Sequence, residues 1–348
     1  MRPLATILPV ALLTSPGCDG RPSHAEAAAG AFASRALPCA TIEPSLASIG
    51  ERIAARLDEA PSVPVAIHYL RAGDALGIPE ARRLEAVSML LGTSEFSPIV
   101  RTRTGLRFQS RAPKTDSPGP FAESHFAQAV SELLLQGIRA DYRVELDGGE
   151  GTFGELVADL ESNYWPKRFE LEWTALALVE AVPPRRSWTT RHGETFDFDG
   201  LAGELLDRTA GVHSCSNLHL VEALAQLQVR DREHGLLGAG ERTRVTQFLD
   251  ATAEAFLEHQ HDRGWWPPSW DRGPASGAPS PQKADVLATT SHVLELTAVY
   301  PSLDRGVDRE AARRWLTDAL VAACGDGEFV ASHYCAVTHA FRAIHLQP

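Results

Sequence analysis

The chain has 348 residues, of which 44% are hydrophobic, and carries a formal charge of −12 at pH 7. This length and apolar content are sufficient for one large hydrophobic core, and no linker-like composition divides the chain. The acidic balance excludes nucleic acid as a partner class, because a phosphate-binding surface must be locally basic and Lys and Arg are not clustered.

The N-terminus has the pattern of a bacterial export signal. Arg2 precedes an apolar stretch at residues 4–13, which is too short to cross a membrane as a mature helix. Gly17 and Cys18 resemble a lipoprotein cleavage site, although Ser15 stands where Leu is usual. We therefore expect an export signal at residues 1–18, a flexible tether at 19–41 and one folded domain at 42–348. The protein would be periplasmic, or anchored to the membrane only by a lipid on Cys18.

A row of His and Glu residues indicates internal repeats. Its members are separated by 47, 47, 73 and 47 residues, and they are His125, Glu172, His219, His292 and His339. A Pro-, Gly- and Trp-rich insertion at residues 261–283 accounts for the longer interval. Each member begins a short apolar run, and amphipathic segments at 241–259 and 308–324 precede the last two runs. A period of 47 residues accommodates two helices and their turns.

These repeats predict an all-α fold. A first helix pair is expected at residues 45–59 and 63–73, with His68 as a weaker member of the row. Six such hairpins fill the chain, and alternating charged and apolar helices favour a closed (α/α)6 toroid over an open solenoid of similar period. We expect the functional site at the N-terminal mouth of the inner helices, where free N–H groups suit anionic or carbonyl ligands.

A His-x-Cys-x-x-x-His pattern occurs twice, at residues 213–219 and 333–339. Mixed Cys and His donors suit zinc in tetrahedral geometry, so the four candidate metal ligands are His213, Cys215, His333 and Cys335. A disulfide between Cys215 and Cys335 is the alternative, because the chain has five cysteines and export would expose it to an oxidising compartment. The sequence leaves both interpretations open.

Histidine and glutamate side chains of the row are candidate acid–base groups. His219 and His292 are each followed three residues later by a glutamate, which places both side chains on one helix face. The candidate catalytic residues are His219, His292, His339, Glu222 and Glu295. The alternative is a structural network in which Glu222 or Glu295 pairs with Arg342. Candidate ligand-contacting residues are His125, Glu172, Trp173, Trp265, Trp266, Trp270 and Arg342, with one of the three loop tryptophans expected to pack structurally.

Gln260, Gly264 and Trp266 fit the pattern Gln-x-x-x-Gly-x-Trp and follow Phe256-Leu257. This segment resembles the QW repeat of terpenoid cyclases, which share an α/α toroid with protein prenyltransferase β-subunits. His213-Ser-Cys215 is similar to the Asp-x-Cys zinc pair of the prenyltransferases, with His in place of Asp. The acid and magnesium motifs of the cyclases are missing from the sequence, and Asp197-Phe-Asp199 is the nearest approach to them. The resemblance therefore implies the fold and not a particular reaction.

Taken with the export signal, these features predict an exported toroid enzyme with a His- and Glu-lined cavity. Its ligand would be a small molecule, either an isoprenoid handled by cyclase-like or transferase-like chemistry or a saccharide handled by a lyase or hydrolase. Zinc is the one cofactor that the motifs suggest. A non-catalytic binding or assembly module is the alternative, in which the His and Glu row is structural.

Overall fold

The computed structural model describes residues 45–92, 98–109, 125–146, 149–208, 214–273, 284–323 and 327–346. The predicted export signal and tether, together with Cys18 and His213, lie outside these ranges. So do residues 274–283 of the predicted insertion. None of the helices in the described ranges is long and apolar enough to cross a membrane.

Within these ranges the fold is mostly helical, which confirms the all-α prediction, and the 14 α-helices are joined by short connections. In chain order the helices are α1 (Leu46–Glu59), α2 (Val63–Arg71), α3 (Gly73–Leu76), α4 (Glu80–Leu90), α5 (Gln128–Leu135), α6 (Phe153–Ser162), α7 (Leu171–Ala181), α8 (Phe198–Leu206), α9 (Leu218–His234), α10 (Ala239–Glu258), α11 (Ala284–Val299), α12 (Arg309–Ala323), α13 (Gly327–Ser332) and α14 (Tyr334–His345).

Small β-hairpins, which the sequence did not predict, connect some of these helices. Each pairs two antiparallel strands: β1 (Ile99–Arg101) with β2 (Leu106–Phe108), β3 (Arg143–Leu146) with β4 (Gly149–Thr152), and β5 (Ser187–Thr189) with β6 (Thr195–Asp197). Two of the hairpins lead directly into helices. Asp197 at the end of β6 is the N-cap of α8, and its Oδ1 accepts from the Gly200 backbone N–H (2.8 Å). Thr152 at the end of β4 is the N-cap of α6, and its backbone N–H donates to Glu155 Oε1 (3.1 Å).

Six helices are packed against one another in the interior: α2, α5, α7, α9, α11 and α14. Each contacts the next in this order, and α14 also contacts α2. In α11 every residue from Val286 to Thr297 is buried, as expected for a helix surrounded by other helices. The other long helices are amphipathic and cover this group. For example, α12 packs on α11 and α14, and α1 packs on α2 and α14.

Helix positions agree with several sequence predictions and correct others. The segments predicted at 45–59, 241–259 and 308–324 are α1, α10 and α12 within two residues at each end. Glu172 and His219 are the second residues of their helices, as expected. His292 and His339 instead lie inside α11 and α14, and His125 precedes α5. The apolar runs predicted to begin at the row members therefore coincide with helix starts only at Glu172 and His219.

The QW-like segment joins the end of α10 to the beginning of α12. Gln260 donates from Nε2 to the carbonyl of Asp308 (2.9 Å) and accepts from the Asp308 backbone N–H (2.7 Å). Trp266 folds back and donates from Nε1 to the carbonyl of Phe256 (2.7 Å). Gly264 has a positive φ of 94°. The Gln, Gly and Trp of the pattern thus each have a local structural role in this chain.

Replacing Gly264 by alanine tests this close approach. A Cβ there would lie 2.2 Å from the backbone carbon of Ala311, so we expect the free energy of unfolding to fall by more than about 2 kcal/mol in guanidinium chloride titrations. Gly193→Ala is the matched control, since its φ is 82° and no atom lies within 4 Å of the added carbon. Equal losses in the two variants would show that backbone strain, and not the contact with α12, requires the glycine.

Candidate functional site

Two cysteines and four histidines come together between the interior helices. His68 is on α2, Cys215 is in a 3-10 turn (Ser214–Asn217) before α9, and the others are His219, His292, Cys335 and His339. Among the described residues, three groups have donor atoms within 4.8 Å of one another: His68, Cys335 and His339; Cys215, His219 and His292; and His292, Glu295 and His339. These His, Cys and Glu groups are largely buried and could hold a metal ion.

The two thiols are in contact and are not joined by a disulfide in this structure. A hydrogen bond with Cys215 lowers the pKa of the Cys335 thiol well below its usual value, and His68 and His339 act in the same direction against the effect of burial. The thiolate is the form of cysteine that binds metals. Both copies of the sequence motif therefore contribute a cysteine to one place.

The imidazoles are held so that Nε2 remains as the nitrogen available for ligation. Nδ1 of His219 contacts Glu222 Oε2 (3.2 Å), Nδ1 of His339 contacts Glu295 Oε2 (2.9 Å), and Nδ1 of His68 donates to the carbonyl of Pro64 (2.7 Å). Nε2 of His292 is buried and has no hydrogen-bond partner among the described residues. Carboxylate or carbonyl acceptors on one ring nitrogen are typical of histidines whose other nitrogen binds a metal.

Burial and neighbouring groups shift the pKa values of these closely packed imidazoles. The ring centroids of His292 and His339 are 3.9 Å apart, and those of His219 and His292 are 4.7 Å apart. Burial lowers the pKa of His219 to about 3, and burial together with His339 lowers that of His292. Burial opposes protonation of His339 as well, but Glu295 and Cys335 raise its pKa to about 9. Neither His219 nor His339 has the near-neutral pKa that suits a general acid–base residue.

The turn that carries Cys215 has an uncommon backbone. Cys215, Ser216 and Asn217 all have left-handed φ values, of 48°, 56° and 66°. A single left-handed non-glycine residue costs on the order of 1–3 kcal/mol, so surrounding contacts must hold this turn. Trp270 does so by donating from Nε1 to the carbonyl of Ser216 (2.9 Å).

A layer of charged side chains lies beside this cluster of cysteines and histidines; it consists of Arg71, Glu132, Glu222, Glu295 and Arg342, and is called the charged layer below. Arg71 donates to Glu132 and to Glu222, at 2.5 Å in each case, and lies 3.9 Å from Glu295. Burial favours the neutral form of Glu222, but Arg71 and His219 lower its pKa below the usual value. Burial likewise opposes ionisation of Glu295, yet its pKa is well below the usual value, chiefly because of His339 and Arg342. The pairing of Glu295 with Arg342, considered above as the structural alternative, is present with an N–O distance of 3.2 Å.

Arg71 and Glu132 were not among the predicted site residues; the sequence contains a signal for Arg71, and the position of Glu132 is recognisable only from the backbone. Arg71 follows His68 by three residues, as Arg342 follows His339. Glu132 lies five residues after Ala127, the left-handed residue that precedes α5, and Glu222 lies five residues after Asn217, which precedes α9. A charged residue follows His219, His292 and His339 by three positions, and applying the same spacing to His68 would have identified Arg71.

A cavity of about 580 Å³ lies on the other side of the charged layer. Its floor contains Arg71, Glu132, Glu222, His292, Glu295 and Arg342, and its outer part is lined from the C-terminal ends of α2, α5, α11 and α14. The site was expected at the N-terminal mouth of the inner helices; Cys215 and Cys335 lie at the beginnings of α9 and α14, whereas this cavity lies among helix C-terminal ends. His292 and Glu295 belong both to the cavity wall and to a donor group, and they connect the two.

Of the predicted ligand-contacting residues, Arg342 lines the cavity. The others do not: Trp265, Trp266 and Trp270 are buried in packing contacts, and the Trp173 ring lies 4.2 Å from His219 in the protein interior. Glu172 is also fully buried away from the cavity. His125 contacts Glu170 through Nδ1 (2.8 Å). One or two of the loop tryptophans were expected to contact ligand, because aromatic rings at a toroid mouth can stack against one, but all three are buried.

The predicted metal ligands are only partly brought together. His333 stacks on Phe329 with a centroid distance of 4.5 Å and contacts Ser332 Oγ through Nδ1. It belongs to none of the donor groups found among the described residues. His213 lies outside the described residues. Thus the two cysteines of the motifs converge as expected, whereas the nearby imidazoles are the second histidines of the motifs together with His68 and His292.

The charged layer predicts a large effect of removing Arg71. Arg71→Met leaves Glu132 and Glu222 buried without their counter-ion, so we expect a loss of about 3–5 kcal/mol in unfolding free energy, measured by urea titration. Arg82→Met is the control, because Arg82 forms more exposed ion pairs with Asp58 and Glu85 and should cost less than about 1 kcal/mol. Similar losses in both variants would contradict a central role for Arg71.

Comparison with known proteins adds no relative: no family model matches the chain, and neither the curated proteins nor the solved structures give a significant match.

Proposed function

We propose that the interior helices form the inner ring of a closed (α/α)6 toroid. The order of contacts around α2, α5, α7, α9, α11 and α14, with α14 against α2, supports closure over an open solenoid. An outer helix precedes each inner one along the chain, namely α1, α4, α6, α8, α10 and α12. The toroid, together with the geometry of the QW-like segment, favours a relationship in fold to terpenoid cyclases and prenyltransferases.

Within this toroid we propose a zinc centre formed by Cys215 and Cys335 with one or two of the neighbouring imidazoles. The observation that carries this proposal is the meeting of both thiols with histidines whose Nδ1 atoms already have acceptors. Thiolate and imidazole donors in a small buried set favour zinc over the hard cations magnesium and calcium, which prefer oxygen. Two imidazoles, one from each group, would close a tetrahedral set, whereas a single imidazole would leave the fourth position to water or substrate.

The adjoining cavity supports an enzymatic function for this centre. A zinc ion supplies Lewis-acid chemistry when one coordination position is left for water or substrate. His292 and Glu295 lie at the junction of cavity and cluster, so a small molecule in the cavity would approach the ion from this side. We propose a zinc-dependent enzyme acting on a small molecule, exported as the N-terminal sequence indicates. A purely structural zinc site in a binding module is the second candidate, favoured by the burial of every donor except Cys335, which is partly buried.

Metal analysis tests the zinc centre directly. We expect the purified mature protein to contain about one zinc per chain by inductively coupled plasma mass spectrometry, and Cys215→Ser and Cys335→Ser to lose it. His333→Ala serves as the control, because His333 shares the sequence motif but lies outside the donor groups. Metal-free wild-type protein prepared under reducing conditions would overturn the proposal, and zinc loss in His333→Ala would restore the ligand set expected from sequence.

Glu295 is expected to tune the centre by holding imidazoles. Glu295→Gln weakens the acceptor for His339 Nδ1, so the zinc dissociation constant should rise roughly 10- to 100-fold. A competition titration with a chromophoric chelator measures this change. Glu132→Gln is the matched control: Glu132 also pairs with Arg71 in the charged layer but contacts none of the histidines, and it should leave zinc affinity within about threefold. Equal weakening in both variants would indicate a general loss of structure.

A further inference from the structure

The cavity contains one cation whose hydrogen-bonding capacity is not used by the protein. Arg342 lies 3.2 Å from Glu295 Oε1, but the contact lacks hydrogen-bond geometry, and Glu295 Oε1 is without a hydrogen-bond partner. No hydrogen bond joins the Arg342 side chain to any of the described residues, although a guanidinium has five N–H donors. Arg71, by contrast, donates to two glutamates. The Arg342 side chain is 21% exposed and lines the cavity.

The carboxylates of the floor are occupied. Glu132 pairs with Arg71, Glu222 pairs with Arg71 and His219, and Glu295 pairs with His339. A cationic ligand would therefore have to displace an existing partner from a buried carboxylate. An anionic ligand would instead satisfy donors of Arg342 that have no acceptor. The ligand is therefore expected to be an anion.

The charge count of the floor restricts the anion further. Three carboxylates (Glu132, Glu222 and Glu295) stand against two guanidiniums (Arg71 and Arg342). This excess of one negative charge opposes any anion, and the repulsion grows with each negative charge that the ligand carries, so a phosphate or diphosphate is disfavoured more than a carboxylate. A carboxylate carries a single charge and matches the planar fork of one guanidinium. Among anions, the floor therefore favours a monocarboxylate held by Arg342.

The rest of the wall combines apolar side chains with the polar residues Asp74, Arg83, Gln136, Gln226 and His345. Leu218, Leu296 and Val299 line the cavity together with Leu70, Leu135 and Leu346. A cavity of about 580 Å³ is in the range of small-molecule sites, which is roughly 300–1,000 Å³. An aliphatic body lying along these side chains would gain from burial, since each methylene removed from water improves affinity roughly fourfold.

We propose that the cavity binds an amphiphilic monocarboxylate, with its carboxylate on Arg342 and its aliphatic body against Leu218, Leu296 and Val299. The proposal rests on the cavity being the substrate site of the proposed enzyme, but it does not require the zinc ion. It names the substrate class as an aliphatic carboxylic acid and excludes prenyl diphosphates, which the fold resemblance alone would suggest.

Isothermal titration calorimetry with octanoate tests this assignment on both zinc-loaded and chelator-treated protein. Octanoate should bind both forms, hexanoate should bind more weakly, and octanamide, octylammonium and octyl phosphate should bind at least tenfold more weakly than octanoate. Equal binding of octanamide or octylammonium would overturn the proposal, as would tighter binding of octyl phosphate. Octanoate binding to protein that never holds zinc would separate a failure of the metal centre from a failure of this site.

Variants locate the binding site. Arg342→Gln should weaken octanoate binding at least tenfold, and Arg342→Lys should retain part of the affinity because it keeps the charge. Arg83→Gln is the control: Arg83 also lines the cavity, but it already pairs with Glu80, and affinity should stay within twofold. Leu296→Phe tests the apolar wall without changing any charge and should weaken octanoate binding. Unchanged binding in both folded Arg342→Gln and Leu296→Phe would place octanoate elsewhere and refute the assignment.

Discussion

The pairing of Arg71 with buried carboxylates is the interaction on which the site depends. One guanidinium at the end of α2 contacts Glu132 of α5 and Glu222 of α9 and lies near Glu295 of α11, so it joins four helices. Without this charge, burial would favour the neutral acids. Ionised Glu222 in turn accepts from His219 Nδ1, and the orientation of that imidazole therefore depends on a residue of a different helix. The same ion pairs therefore hold these four helices together and fix the orientation of the His219 imidazole.

Glu295 connects the two sides of the charged layer. One of its oxygens accepts from His339, which faces the thiols, and the other lies beside Arg342, which faces the cavity. The soft donors are thereby kept behind a layer of paired charges, away from the cavity's apolar wall. A metal in the cluster and an anion on Arg342 would both act on this carboxylate. Binding at one site is expected to alter affinity at the other through it, and by linkage the effect is reciprocal.

The tryptophan-rich segment after α10 supports the cluster rather than the cavity. Gln260 ties α10 to α12, Trp266 returns to α10, and Trp270 holds the strained turn that carries Cys215. A buried Trp N–H usually has an acceptor, and here Trp266 donates to the carbonyl of Phe256 in the last turn of α10 and Trp270 to that of Ser216. The residues that resemble the QW repeat thus have structural roles in this chain. The chemistry proposed for this protein follows instead from thiols and imidazoles that the cyclase motifs do not include.

The sequence determined the features that depend on near neighbours. Helix type and the bounds of α1, α10 and α12 follow from apolar periodicity and caps, and duplication of a motif indicated that Cys215 and Cys335 belong together. Tertiary structure alone decided the charge partners, because Arg71 meets Glu132 and Glu222 across 61 and 151 residues of chain. It also decided which end of the helices carries the cavity, and that the loop tryptophans are buried. Such features depend on how helices pack in space, and a one-dimensional period contains no information about which faces of distant helices will meet.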